Sequence, residues 1–157
     1  MPSVEDAVVT HDNDGTGAIL GLHHIKIPVS DLVRSREWYE RVFDLQPLTE
    51  FRDDEDGVVR GVAYRSKGDL VLALRENAPA AAGFAGFDPF AIMLRGGADI
   101  EHWVARLDRL GVAHSPVIDA PIGFILSFFD PDGLELRFYS LNEHGADPEG
   151  RVRVPGT

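Results

Sequence analysis

Cysteine is absent from the 157-residue chain, which removes disulfides, thiolate metal ligands and a cysteine nucleophile together. Positive charge is scarce: 15 Lys and Arg stand against 26 Asp and Glu, a formal net charge of -11, and no basic stripe offsets it. Such a surface repels a phosphate backbone or an anionic lipid, so neither nucleic acid nor membrane is an expected partner. No apolar run approaches membrane-spanning length, and the first residues lack the basic-then-apolar pattern of a secretory leader. A cytoplasmic protein is expected. Phosphate loops and nucleophile constellations are missing as well. Gly96-Gly97 lacks the rest of a dinucleotide motif, and Ser127 has no sequence sign of a histidine and carboxylate partner.

What is present is a duplication. At 44% apolar the chain can bury one good core. Ile25, Ile27, Val29, Trp38, Val42 and Leu45 are matched 65 residues on by Phe90, Ile92, Leu94, Trp103, Leu107 and Leu110. Apolar residues at alternate positions, then at three- and four-residue spacing, mean strand followed by helix, written twice.

The first copy opens with a strand over 22–29, with Ile25, Ile27 and Val29 on one face and His24, Lys26 and Pro28 on the other. Ser30 or Asp31 can cap a helix running to Phe43, and Asp44 stands where a left-handed residue commonly ends one. Strands are expected near 47–52, 58–66 and 69–75. The second copy reads as strand 90–94, helix 99–110 stopped by Gly111, and strands near 112–118, 123–129 and 134–139. Asp130-Pro131-Asp132-Gly133 is a turn between the last two, with Leu134, Leu136 and Phe138 on one strand face and Glu135, Arg137 and Tyr139 on the other. The modules thus run about 20–76 and 86–140 inside one domain, 19–141. Flexible tails are expected at 1–18 and 142–157, where Asp12-Asn13-Asp14-Gly15 lacks the downstream glutamate of a calcium loop.

Leu22-His23-His24-Ile25, Val29-Ser30-Asp31-Leu32, Trp38-Tyr39 and Asp130-Pro131-Asp132-Gly133 resemble the glyoxalase, bleomycin-resistance and extradiol-dioxygenase group, the vicinal oxygen chelate superfamily. The resemblance covers about residues 20–140 and includes the duplication. It implies an α+β fold in which two βαβββ modules form a cupped eight-stranded mixed sheet, helices on the outer face and ligand on the concave one. It also implies a homodimer, the common state of relatives. The scaffold hosts lyases, isomerases, dioxygenases and non-catalytic drug binders, so it does not by itself name a reaction.

Catalytic members of this family hold a divalent metal with His and Glu at equivalent positions of the two modules. Carried over residue by residue, those positions are His24, Ala73, Pro89 and Arg137, of which only His24 can bind a metal. A guanidinium at one corner would repel the ion. Glu135 would reach the centre only after a two-residue slip, which the preceding turn opposes. His23 and His24, as neighbours on a strand, are expected to point to opposite faces. No metal and no cofactor are therefore expected.

The resulting expectation is a protein that binds a small aromatic or otherwise bulky metabolite in the cup. His24, Lys26, Met93, Glu135, Arg137 and Tyr139 are the expected ligand-binding residues. The alternative is an enzyme of lyase, isomerase or dioxygenase type, metal-free with His24 as acid or base, or metal-dependent through other ligands. A third, a scaffold with a filled cup, requires that no cavity exist. Trp38 and Trp103 read as core anchors, and His11, His102, His114 and His144 as surface residues.

Overall fold

Residues 19–121 and 123–140 are described in the computed structural model; the two expected tails, with His11, His144 and the 12–15 segment, lie outside the described residues. Module one is β1 (Ile25–Val29), α1 (Leu32–Phe43), β2 (Pro47–Arg52), β3 (Val59–Arg65) and β4 (Val71–Glu76). A short helix, α2 (Ala78–Phe84), leads to module two: β5 (Ala91–Leu94), α3 (Gly97–Leu110), β6 (Ile118–Ala120), β7 (Gly123–Phe129) and β8 (Glu135–Ser140).

The eight expected strands of the two βαβββ modules divide between two four-stranded mixed sheets, ordered β1-β4-β3-β2 and β5-β8-β7-β6. In each, the first strand runs parallel to the last and the other pairs are antiparallel. The repeat survives at residue level: Lys26 pairs with Ala73 in module one, and Ala91, 65 positions after Lys26, pairs with Arg137 in module two.

Both long helices begin and stop for local reasons. Asp31 caps α1 by accepting from the Arg34 backbone N–H at 3.0 Å, and Asp44 ends it in the left-handed region at φ 53°. Gly111 ends α3 at φ 68°, where a residue without Cβ is at ease. Helix α2 was not foreseen. Its seven residues are too short for periodicity, although Asn77 accepting from the Ala80 N–H and Pro79 in the first turn are a start signal.

Two strand expectations are corrected. The first begins at Ile25 rather than Leu22, because its one neighbour, β4, pairs with it from Leu72 onward. The strand expected over 112–118 is reduced to a single bridge, His114 to Phe128, followed by β6. Pro116 has no N–H to give a ladder there. His114 is accordingly no free surface group. Its side chain is 15% exposed, and its ring nitrogens contact the Ser115 carbonyl at 2.7 Å and Asp108 at 3.1 Å.

One core serves both modules. The inner faces contribute Ile27, Val62, Tyr64 and Leu74 from the first sheet, and Leu126, Phe128, Leu136 and Phe138 from the second. Trp38 packs near Phe128, and Trp103 lies 4.5 Å from Phe138 between ring centres, so both tryptophans anchor this core. Arg106 of α3 donates to the carbonyls of Val42 and Arg41 at 2.7 and 2.9 Å, satisfying the C-terminal end of α1. Asp132 in the module-two turn accepts from the Ser30 backbone N–H at 2.8 Å, from the Ser30 hydroxyl and from Arg34. The helices and the inner sheet faces are committed to this core, and the opposite face of each sheet, the outer one, points away from it.

Candidate functional site

The outer face of the first sheet is hollow because of which side chains the register brings into line. One row across it reads Lys26, Ala73, Ala63, Thr49; the next reads Pro28, Arg75, Gly61, Phe51. In the first row the small Ala73 and Ala63 of the two middle strands lie between Lys26 and Thr49, and in the second Gly61 lies between Arg75 and Phe51. The result is a cavity of about 610 Å³ floored by Ala63 and Ala73. Leu48, Phe51 and Val71 supply apolar wall, while Lys26, Arg65 and Arg75 supply positive charge. Asp69 also lines it and stands 3.4 Å from Arg65.

Both histidines meet at this cavity, which corrects the expectation that they part to opposite faces. They precede the first strand residue, so alternation does not govern them. Their rings meet edge to face at 5.2 Å, and the two Nδ1 atoms lie 2.9 Å apart, a bond in which one donates and the other accepts.

Of the six residues expected to bind ligand, the structure brings His24 and Lys26 together in this cavity. Glu135, Arg137 and Tyr139 share the outer face of the second sheet and do not line it. Met93 is 69% exposed and borders a separate groove of about 440 Å³ beside Phe43 and Trp103. Arg137 is committed to its neighbours: it lies 2.8 Å from Glu135 and 3.1 Å from Asp88. Glu135 also accepts from the Ser127 hydroxyl. The Arg137 guanidinium, and then the serine, hold the Glu135 carboxyl below the ordinary glutamate range, and the same contact raises Arg137.

Sequence reasoning missed Arg75, Phe51, Leu48, Thr49 and Arg65. A signal for Arg75 existed, since Ala73 had been placed at the cup and the residue two further along shares its face. The edge-strand residues had none, because only cross-strand register brings them in.

The donor set does not fit a divalent metal. The pairing of Ala91 with Arg137 where module one pairs Lys26 with Ala73 makes Ala73 and Arg137 equivalent, and neither is a ligand. Among the described residues no three His, Asp or Glu side chains converge to hold an ion.

A family model described as the glyoxalase/bleomycin resistance protein/dioxygenase superfamily matches residues 21–138. A glyoxylase/bleomycin resistance protein/dioxygenase domain from Frankia sp. EAN1pec superposes with TM-score 0.63 at 24% identity, over 80% of this chain and 95% of that one. A mutant fosfomycin resistance protein FosX from Listeria monocytogenes, complexed with Mn(II) and 1S,2S-dihydroxypropylphosphonic acid, gives 0.60 at 19% identity, over 78% and 93%. Lactoylglutathione lyase from Agrobacterium tumefaciens gives 0.61 at 17% identity, over 79% and 96%. At these identities the likeness is one of fold. Comparison with curated proteins gives no match.

Proposed function

The chain belongs to the glyoxalase/bleomycin resistance protein/dioxygenase superfamily, and from that premise we propose that it binds a small aromatic or otherwise bulky metabolite on the outer face of its first sheet, without the metal usual in that family. One observation carries the reading: a row of small residues, Ala73 and Ala63, between larger ones leaves about 610 Å³ open where a scaffold protein would be filled. His24 and Lys26 orient the ligand, and Phe51, Leu48 and Val71 bury its body. The working unit is a homodimer in the cytoplasm. A second copy also relieves exposed sheet edges, which otherwise invite unselective pairing.

A thermal-shift screen of bulky metabolites against the wild type and Ala63→Leu tests this. A true ligand at a hundredfold excess over its dissociation constant stabilises the protein by about 2.7 kcal/mol. Ala63→Leu, which fills the floor, abolishes the shift. If no compound raises the melting temperature, the reading fails. It also fails if purified protein carries a stoichiometric divalent ion that His24→Ala removes.

The contact between His23 and His24 at the cavity favours one second reading, a metal-free enzyme with His24 as acid or base. Turnover lost in His24→Gln with ligand affinity retained supports it. Equal loss of both assigns His24 to binding alone.

A further inference from the structure

We infer that the ligand of this cavity is an organic oxyanion, its head group drawn by the charges of Arg75 and Lys26, unpaired among the described residues, and its apolar body laid against Phe51 and Leu48. This rests on the reading that the hollow of the first sheet is the ligand site. The surplus of carboxylates in this chain is the first reason. Arg34, Arg36, Arg60, Arg95 and Arg137 each have a carboxylate within salt-bridge distance. Lys26 and Arg75, both lining the cavity, have none among the described residues. Asp69, which also lines the cavity, is paired with Arg65.

Placement is the second reason. Lys26 pairs with Ala73, and Arg75 stands two residues further along the adjacent strand on the same face. Strand spacing and rise put their Cα atoms about 8 Å apart, so both charges act on the same cavity. Arg75 is also not splayed at random. Its Cδ lies 3.5 Å from where a Cβ of Gly61 would stand, and the Phe51 Cβ is at the same distance. The arginine stem therefore lies across Gly61 toward Phe51, on the side of its strand away from Lys26, so its charge sits beside the apolar wall. A guanidinium offers a carboxylate or phosphonate two parallel N–H donors, and the ammonium adds a second positive charge to the same cavity. Leu48 and Phe51, 58% and 46% exposed on an edge strand, are large apolar groups left uncovered beside that charge.

The test is calorimetric titration of the full chain with 2-naphthoate, 2-naphthylphosphonate and the neutral 2-naphthamide. Either anion is expected to bind at least about tenfold more tightly than the amide, the scale of a charge-assisted hydrogen bond. The tighter of the two tells whether a carboxylate or a phosphonate head is preferred. Lys26→Met and Arg75→Met are each expected to erase that advantage and leave the amide unchanged. Arg75→Lys, which keeps charge but loses the fork, recovers part of it and guards against a folding artefact. Equal affinity for amide and anions overturns the inference and leaves the ligand site standing. No saturable binding of any of the three, or binding that Ala63→Leu leaves intact, overturns both.

Discussion

The Tyr39 hydroxyl donates a 2.8 Å hydrogen bond to Oδ2 of Asp130, joining the helix of one module to the turn of the other inside the core. Asp130 is 5% exposed, and its other oxygen accepts from the backbone N–H groups of Asp132 and Leu134 at 2.9 and 3.0 Å. Burial still pushes its carboxyl above the ordinary aspartate value, and burial, then Asp130, pushes Tyr39 well up. A turn residue of one module and a helix residue of the other thus form a buried tie between them.

Tyr39→Phe is expected to cost about 1–3 kcal/mol near neutral pH, because it strips a donor from a buried carboxylate. Asp130 has a folded value raised above the unfolded one, so its neutral form favours folding and its ionised form opposes it. Removing the tyrosine raises that value further. The deficit against wild type should therefore be largest at about pH 7 and shrink in acid, near pH 3, where Asp130 is protonated. Urea denaturation at both pH values checks this; an equal deficit at each would mean that Tyr39 acts by packing alone.

Glu135 carries the opposite sign. Its folded value is lowered by Arg137 and Ser127, so its ionised form contributes stability above the ordinary glutamate range, and that contribution is lost as pH falls through the lowered value. Glu135→Gln should be destabilised relative to wild type at neutral pH and converge with it in acid. A gap that stays constant down the titration would show that charge is not the cause.

Gly123 is held at φ 140° with its missing Cβ facing the next strand, and a methyl there would stand 2.6 Å from Oγ and 2.8 Å from the carbonyl oxygen of Ser140. Gly123→Ala is expected to lose of order 3 kcal/mol. Gly83 in α2 is the internal control, with nothing within 4 Å of its Cβ position. Gly83→Ala should be neutral or stabilise by up to about 1 kcal/mol. Thermal melts of the two variants decide the matter, and similar melting temperatures would contradict it.

Arg106→Met keeps an apolar stem but loses both donors to the end of α1 and the guanidinium whose carbon lies 5.9 Å from the Trp103 ring centre. A loss of about 1–2 kcal/mol is expected, with hydrogen exchange accelerating in the last turn of α1. Faster exchange confined to α3 would place the effect on its own helix instead.

The repeat carried most of the fold into the sequence. Strand faces, both long helices with Asp31, Asp44 and Gly111 at their ends, and the turn at 130–133 were legible because each rests on residues close in the chain. Helix α2 and the shortened β6 were not, since one is below the length of a period and the other fails at a proline. At the cavity, Lys26 was legible from alternation with the core-facing Ile27 and Val29 and His24 from the family resemblance, whereas the company they keep was not.

By itself the chain's order of residues determined the two modules and the inward and outward faces of their strands, properties of local period and of the internal repeat. Only the tertiary structure decided that Arg75 and Phe51 flank Gly61, that His23 meets His24, and that Arg137 is bound to Asp88 and Glu135. Those relations depend on register between strands distant in sequence and on where a ladder begins, and a one-residue change in either would send the same side chains to the opposite face.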